Sequence, residues 1–333
     1  MAIGYRGSYD NGGAANTNGA DLTFSLSGTN AVKDDVAIAC IYSRSNSKTV
    51  TSVSNVTQVS GQYVSTANGG MIWIGQKVLT ATDITNGYFG TYDLNSVSNG
   101  TVGYSVMVFS GVHGTTPIDG TGTPAAGGAS NTPDPPACTH TAGSTIVTAF
   151  GKMDDAAASV TAPSTTSPGY TTATTAWWES TLGTDGSSGF AYQLAVSGTS
   201  ENPGTWTTGS GGLSTYWYAA TISLAPQPAP AVTSLDVTSG STAGGTAVTI
   251  TGTSFYGVVP ASGVTFGGTA ATSVVVVSDT SITCVTPAHA VGSNLQTQVT
   301  GPGGASSDVA GDNFSFVDSS SFDPFGMSGF FGM

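Results

Sequence analysis

Positively charged residues are scarce in this chain. Its 333 residues include six Lys plus Arg against nineteen Asp plus Glu, which gives a formal net charge of -13. Binding to a nucleic-acid backbone needs a cationic face that neutralises phosphates. The acidic balance therefore argues against nucleic acid as a partner.

Long apolar segments and disulfide signals are missing as well. No run approaches the roughly eighteen apolar residues of a membrane span, and residues 1–13 lack the apolar core of a signal peptide. The three cysteines are an odd number and lie far apart, so they do not form a disulfide framework. Cys40 and Cys284 lie in apolar runs and are expected to be small core residues, whereas Cys138 stands near His140 with no second ligand pair nearby. The sequence thus predicts no membrane span, no signal peptide, no metal and no cofactor.

Helical patterns are absent, and strand patterns replace them. The chain has 47 glycines and only 8% charged residues, and its short Val, Ile, Thr and Tyr runs are separated by Gly, Asn, Ser and Pro. These features are typical of all-β proteins. We therefore expect an all-β fold.

Apolar runs of the first 225 residues occur twice in similar order. The runs at 35–43, 70–78 and 104–112 are followed by runs at 144–152, 189–196 and 216–224, with a Pro/Gly/Ser-rich stretch between them. This pattern predicts two face-to-face sheets to which each half contributes strands, in a jelly-roll-like sandwich. The alternative is two small sandwiches in series.

A proline-rich segment, residues 225–231 (APQPAPA), marks the clearest domain boundary. We expect a jelly-roll-like β-sandwich over 1–225, a linker over 226–231, a second sandwich over 232–317 and an apolar tail over 318–333.

Two resemblances refine this organisation. The stretches DVAIACIYSRS, GVHGTTPIDGTGT and YWYAATISLAP resemble a loosely defined group of all-β modules in bacteriophage particle proteins and large bacterial surface proteins. The chain departs from that group at His113, where an acidic residue is common, and at residues 216–219. The resemblance implies a module of a phage particle or of a bacterial surface protein, and the missing signal peptide favours a virion protein, which is assembled in a host cytoplasm and released by lysis.

The C-terminal region closely resembles an IPT/TIG domain, an immunoglobulin-like sandwich. The motifs are SGSTAGGTAVTITG, VTFGGTAA, SDTSITCVTPA and a closing FSFV, in that order over residues 231–317. Gly244–Gly245 and Gly267–Gly268 suit tight turns. Because such domains occur in regulators, receptors, enzymes and phage particles, the fold alone does not choose a function.

Catalytic signals are weak, and we expect no enzyme. The chain contains two glutamates, Glu179 and Glu201, and no G-x-S-x-G elbow. The stretch WWES at 177–180 is the most enzyme-like, because indoles stack on sugars and a carboxylate can act as an acid. Candidate glycan-stacking residues are Trp177, Trp178, Trp206 and Trp217.

The tail completes the functional hypothesis. Residues 322–333 hold four Phe and two Met, and burying them on a partner would offset the cost of ordering the segment. We therefore expect a bacteriophage virion structural protein that decorates the capsid or tail surface, assembled in the host cytoplasm and anchored to other virion subunits. A tail adhesin for host-surface glycans and a polysaccharide-degrading enzyme are the alternatives, and a homo-oligomer is compatible with each. The sequence leaves open the capsid or tail location, the end that faces the particle, the host, and whether the tail docks on its own domain. The predicted docking residues are Phe322, Phe325, Met327, Phe330, Phe331 and Met333.

Overall fold

The chain forms two compact units, Met1–Gln227 and Pro228–Met333, so the division falls inside the proline-rich segment. The computed structural model describes residues 3–11, 14–15, 22–43, 50–64, 70–94, 101–128, 130–153, 160–164, 169–178, 186–208 and 216–318. Among these residues, no helix is long and apolar enough to cross a membrane.

The first half of the N-terminal unit contains one main sheet and one smaller sheet. The elements are β1 (Gly4–Asp10), β2 (Ala14–Ala15), β3 (Leu22–Ser25), β4 (Val36–Ser43), β5 (Val50–Ser54), β6 (Thr57–Val64), β7 (Met71–Val78), α1 (Ala81–Asn86), β8 (Tyr88–Leu94) and β9 (Thr101–Ser110). The main sheet has the order β1-β9-β4-β7-β6, with β2 also paired to β9, and the smaller sheet has the order β3-β8-β5.

The second half repeats the topology of the main sheet. Its strands are β10 (Ile118–Thr121), β11 (Ala125–Gly127), β12 (Cys138–Thr139), β13 (Ser144–Met153), β14 (Val160–Thr161), β15 (Thr171–Trp178), β16 (Gly186–Val196), β17 (Ser200–Glu201), β18 (Thr207–Thr208) and β19 (Trp217–Leu224). The main sheet has the order β10-β19-β13-β16-β15 with β11 paired to β19, and the smaller pairs are β12-β17 and β14-β18. If the five strands of each main sheet are numbered along the chain, both sheets have the order 1-5-2-4-3.

Each half is therefore jelly-roll-like by itself. With β2 set aside, the first half places strands one, eight, three, six and five in its main sheet and two, seven and four in its smaller sheet. This is the order of two Greek keys except that strand five lies in the main sheet. The expected repeat of apolar runs is confirmed, because those runs are β4, β7 and β9 and then β13, β16 and β19. The expectation that each half contributes to both main sheets is wrong: each main sheet comes from one half.

The two main sheets pack face to face. Ile38, Cys40 and Ile74 from the first sheet share one core with Val147 and Phe190 from the second. The opposite face of each main sheet is also covered, by Phe24 and other residues of the smaller sheet in the first half and by Trp206 and other residues outside the main sheet in the second. Because both faces are covered, β4 and β19 are buried throughout and their sequences are mostly apolar rather than alternating.

The short helix α1 connects β7 to β8. Thr80 caps its start by accepting from the Asp83 backbone N–H, and Asp83 also accepts from the Thr80 N–H at 2.8 Å. Lys77 Nζ contacts the same carboxylate at 2.7 Å. Gly87 ends the helix with a φ of 72°, a conformation that favours glycine.

The C-terminal unit is a separate sandwich. Its elements are β20 (Ala231–Leu235), β21 (Ser239–Ser241), β22 (Ala247–Thr253), β23 (Val264–Phe266), β24 (Thr269–Ala270), β25 (Thr272–Ser278), β26 (Ser281–Val285), β27 (Gly292–Gly301), β28 (Gly304–Ala305), a 3-10 turn (Ala310–Asp312) and β29 (Asn313–Val317). One sheet has the order β20-β22-β26-β25 and the other β21-β29-β27-β23-β24, with β28 paired to β27. This is the strand arrangement of an immunoglobulin-like fold.

The core of this unit follows the two-residue period of half-buried strands. Along β22, Val248 and Ile250 point inward between exposed or half-buried neighbours. They join Phe266, Phe314 and Phe316 between the sheets. The alternate residues of β22 are exposed or half-buried, in contrast to β4 and β19 of the N-terminal unit, which are buried on both faces.

Candidate functional site

At one end of the N-terminal unit, several strands of each half begin or end. Ser43 at the end of β4 pairs with Met71 and Val102, and Val64 also pairs with Met71, so β6 ends there and β7 and β9 begin there. In the second half Met153 pairs with Gly186, and Lys152 pairs with Trp217 near the start of β19. We call this the hairpin end.

The two hairpin ends coincide in space because the halves pack there. The Tyr42 side chain lies over Gly151, where an added Cβ would be 3.1 Å from the Tyr42 Cβ. Gly70 lies against the ring of Tyr218 in the same way. The chain leaves the unit at the opposite end, after β19 finishes at Leu224. With a rise of about 3.3 Å per residue, the length of β19 separates the two ends by roughly 25 Å.

The central core becomes polar as it approaches the hairpin end. The Tyr42 hydroxyl donates to Asp10 Oδ2 at 3.1 Å and lies 3.1 Å from Ser105 Oγ. Ser105 Oγ also donates to the Asp10 carboxylate. Burial, with a smaller effect of the Asp10 charge, raises the pKa of Tyr42 well above its ordinary value, so the phenol stays protonated. This hydrogen-bond network connects β1, β4 and β9 near the hairpin end.

A buried lysine fixes the outer layer of the second half nearby. Lys152 is 3% exposed, and its Nζ donates to Asn131 Oδ1 at 2.6 Å and to Thr208 Oγ1 at 3.1 Å. The Thr208 N–H in turn donates to the Asn131 carbonyl at 2.9 Å. These contacts connect Asn131, which precedes β12, to Lys152 of β13 and Thr208 of β18.

The predicted tryptophans divide into two pairs. Trp177 and Trp178 are the last two residues of β15 and pair with Ser187 and Gly186, which places them at the hairpin end. Nothing is described of their side chains, and Glu179 lies outside the described residues.

Trp206 and Trp217 are instead core residues. Trp206 is fully buried, with its ring 4.8 Å from that of Phe150, and Trp217 is 8% exposed. Neither indole offers an open face for a sugar ring, which corrects the sequence-based list of stacking residues. The sequence could not separate the pairs, because the layer that covers Trp206 comes from loops without a periodic pattern.

The side chains that could act in catalysis take part in hydrogen bonds or ring contacts of the fold. Glu201 is buried, and Tyr170 donates a hydrogen bond to its carboxylate at 3.4 Å. Burial and then the Glu201 charge raise the pKa of Tyr170. His140 is buried, with Nδ1 2.9 Å from the Thr141 carbonyl oxygen, and His289 stacks on Phe316. Within the described ranges, no three His, Cys, Asp or Glu side chains form a metal-binding group.

The cysteines are free and buried. Burial raises the pKa of the Cys138 thiol to about 12, with smaller contributions from Asp119 and Glu201. Burial also raises the pKa of Cys284 to about 12 and that of Cys40 further. All three thiols therefore stay protonated at neutral pH and are poor nucleophiles.

The C-terminal tail leaves the second unit beside two exposed valines. Val317, the last residue of β29, is 51% exposed, and Val291 is 68% exposed. Gly292 pairs with Phe316, so these valines are neighbours across the strand ends. The predicted docking residues Phe322, Phe325, Met327, Phe330, Phe331 and Met333 lie outside the described residues.

Comparison with known families identifies one part of the chain. Residues 230–317 match the family model of the IPT/TIG domain. No curated protein sequence matches the chain. The matched span begins just before β20 and ends with β29, so it covers both sheets of the second sandwich. The C-terminal unit is thus an immunoglobulin-like sandwich of the IPT/TIG type.

Proposed function

We propose that this protein is a bacteriophage virion structural protein that decorates the capsid or tail surface and is anchored by its C-terminal tail. The carrying observation is the exit of an apolar tail from a folded, independent sandwich. β29 is the last described strand of that unit, and it ends at the exposed Val317, beside the exposed Val291, just before the Phe- and Met-rich segment of the sequence.

The composition of the two units supports display on a particle. Both are rich in uncharged polar residues, and the buried thiols do not depend on an oxidising compartment. Such a protein can be assembled in a host cytoplasm and then persist outside the cell. The tail would dock in a groove of another virion subunit, where Gly326, Gly329 and Gly332 let it follow the surface.

Removal of the tail tests this function. A chain that ends at Val317 should fail to join particles during infection, while both units keep the melting transitions of the full chain. A second variant, in which residues 318–333 are replaced by a Gly/Ser segment of equal length, controls for chain length. Particle incorporation of either variant at the wild-type level would contradict the proposal.

A tail adhesin is the second candidate, and one observation favours it. Trp177 and Trp178 lie at the hairpin end, whereas the chain leaves for the C-terminal unit from the opposite end. Aromatic residues at a strand end can stack on sugar rings, and many copies on one particle would add avidity. The proposed ligand is a host-surface glycan.

Paired substitutions test the adhesin. The double variant Trp177→Ala, Trp178→Ala should lose binding of the full chain to host cells and to purified surface polysaccharide. Tyr88 is 39% exposed and begins β8 near the opposite end, so Tyr88→Ala is the matched aromatic control. Equal binding by both variants would remove the tryptophans as the site.

A further inference from the structure

Strand β25 is an open edge of the C-terminal unit. It is the last strand in the order β20-β22-β26-β25, and it pairs with β26 on its inner side only. Among the described residues, no strand pairs with its outer side. An unpaired edge presents backbone N–H and C=O groups that can accept another strand.

The exposed side of β25 lacks protection by charge or by proline. Val274 points into the core, whereas Val275 is 55% exposed and Val277 is 62% exposed. Natural edge strands are commonly protected by Lys, by Pro or by inward-pointing charges. β25 has none of these, and residues 228–318 contain no Lys or Arg at all.

Irregular pairing restricts the accepting stretch to the middle of β25. The register with β26 shifts between Thr272 and Val275 and again between Val276 and Ser278. Ser273 has a φ of 50°. A strand added here would therefore be short and would contact mainly residues 274–277.

The tail has the sequence pattern of a strand that could add to this edge. From 325 to 333 the odd positions are Phe, Met, Gly, Phe and Met, and the even positions are Gly, Ser, Phe and Gly. A two-residue period therefore places four of the five large apolar side chains of this stretch on one face of a strand, with Phe330 on the other. The face with four such side chains would cover the exposed valines, and Asp323 is the only charge in residues 319–333.

The direction of the chain favours the edge of another copy. The Val317 carbonyl accepts from the Thr242 N–H, and the Thr286 carbonyl accepts from the Gly245 N–H, at the end of the sandwich where Thr272 pairs with Val285. A tail that passed directly to its own β25 would run from Thr272 towards Ser278, parallel to it. A tail from a second copy can add antiparallel, which is the more stable pairing.

We propose that a short stretch of the tail, within residues 325–333 of one copy, adds as an antiparallel strand to the β25 edge of a second copy. The inference rests on the tail docking of the proposed function and names a second copy of this chain as the partner. Because donor and acceptor are different surfaces, the contact is heterologous and propagates from copy to copy into rows or rings.

Two blocked variants test the contact in purified full-length protein. The first, Val275→Lys with Val277→Lys, keeps the tail and blocks the edge. The second ends at Asp318 and keeps the edge without a tail. Sedimentation velocity should show concentration-dependent association of the wild type, monomers of each variant alone, and a 1:1 complex when the two are mixed.

A matched control isolates the effect of the edge. Val259 and Val309 are 56% and 42% exposed and lie outside β25, so Val259→Lys with Val309→Lys adds the same charge elsewhere in the unit. This control should associate as the wild type does. Circular dichroism melts of all variants report whether each remains folded.

Three results would overturn the proposal, and a fourth would overturn the anchoring function alone. A truncated chain that still dimerises would indicate direct pairing of two β25 edges. A wild type that stays monomeric would indicate a tail docked on its own domain or on another protein. If the mixed variants form no complex and the truncated chain also fails to enter particles, the anchoring function stands with a different partner. If the complex forms but the truncated chain still enters particles, the anchoring function fails alone.

Discussion

At the scale of single residues, Asp119 holds several connections of the second half in place. Its carboxylate accepts from the Thr141 N–H at 2.9 Å, from Thr141 Oγ1 at 2.7 Å and from Ser144 Oγ at 2.8 Å. Ser223 Oγ on β19 donates to its other oxygen. One side chain thereby joins β10, the start of β13 and the end of β19.

We predict that Asp119→Asn destabilises the N-terminal unit by about 1–2 kcal/mol at pH 7, since hydrogen bonds to a charged acceptor are lost. Burial raises the pKa of Asp119, but the hydrogen bonds from Ser223, Thr141 and Ser144 outweigh it and lower the pKa below its ordinary value. The carboxylate therefore contributes stability above the unfolded pKa of about 3.9, and this contribution is lost as the pH falls through the lowered folded pKa.

Urea unfolding of wild type and variant at a series of pH values measures the effect. The difference in unfolding free energy should be constant from neutral pH to about pH 5 and should shrink below about pH 4. A difference that grows on acidification would contradict this role. The variant Asp134→Asn is a suitable control, because Asp134 is exposed.

At the scale of elements, the N-terminal unit is two copies of one topology joined through their main sheets. The inner faces of β4, β7 and β9 are buried only because β13, β16 and β19 cover them. A half without its partner would expose that whole face to water. We therefore expect the two halves to fold as one unit, although each half has its own main sheet.

We predict that fragments 1–116 and 117–227 do not fold separately. Each should bind the dye ANS and lack a cooperative melt, and the mixed fragments should regain the near-ultraviolet circular dichroism of the intact unit. Tyr5 stacks on Tyr192 at 4.5 Å across the two halves, and this contact provides a local signal of reassembly. A cooperative melt of either fragment alone would show that the halves are independent domains.

The sequence predicted the elements of this fold better than their arrangement. Apolar runs located β4, β7, β9, β13, β16 and β19, and the glycine pairs and motifs located the IPT/TIG unit. The assignment of strands to sheets failed, because a strand buried on both faces has no alternation to show which sheet it faces.

The candidate sites show the same limit. Trp206 and Trp178 look alike in sequence, and only the fold separates a core residue from one at a strand end. The run Val274, Val275, Val276 and Val277 reads as a buried strand, yet two of its side chains are largely exposed at an edge. Exposure of this kind depends on which strand is last in a sheet, and that is a tertiary property.

At the scale of the whole molecule, charge is distributed unevenly between the units. All six Lys and Arg lie in the first 152 residues, and the C-terminal unit carries aspartates without a cation. Neighbouring copies on a particle would repel one another through these units unless uncharged surfaces met. The β25 edge and the apolar tail are such surfaces, so the strand-addition contact and the anchoring function are compatible with a crowded lattice.

The number of copies per particle separates the proposed functions. A lattice of capsid or tail-tube subunits offers many equivalent sites, whereas a tail tip offers few. We predict that quantitative mass spectrometry of purified particles, referenced to the major capsid protein, will give hundreds of copies of this chain, in keeping with surface decoration. A handful of copies would favour the adhesin with Trp177 and Trp178 at its receptor-facing end, and the loss of all copies from purified particles would exclude both functions.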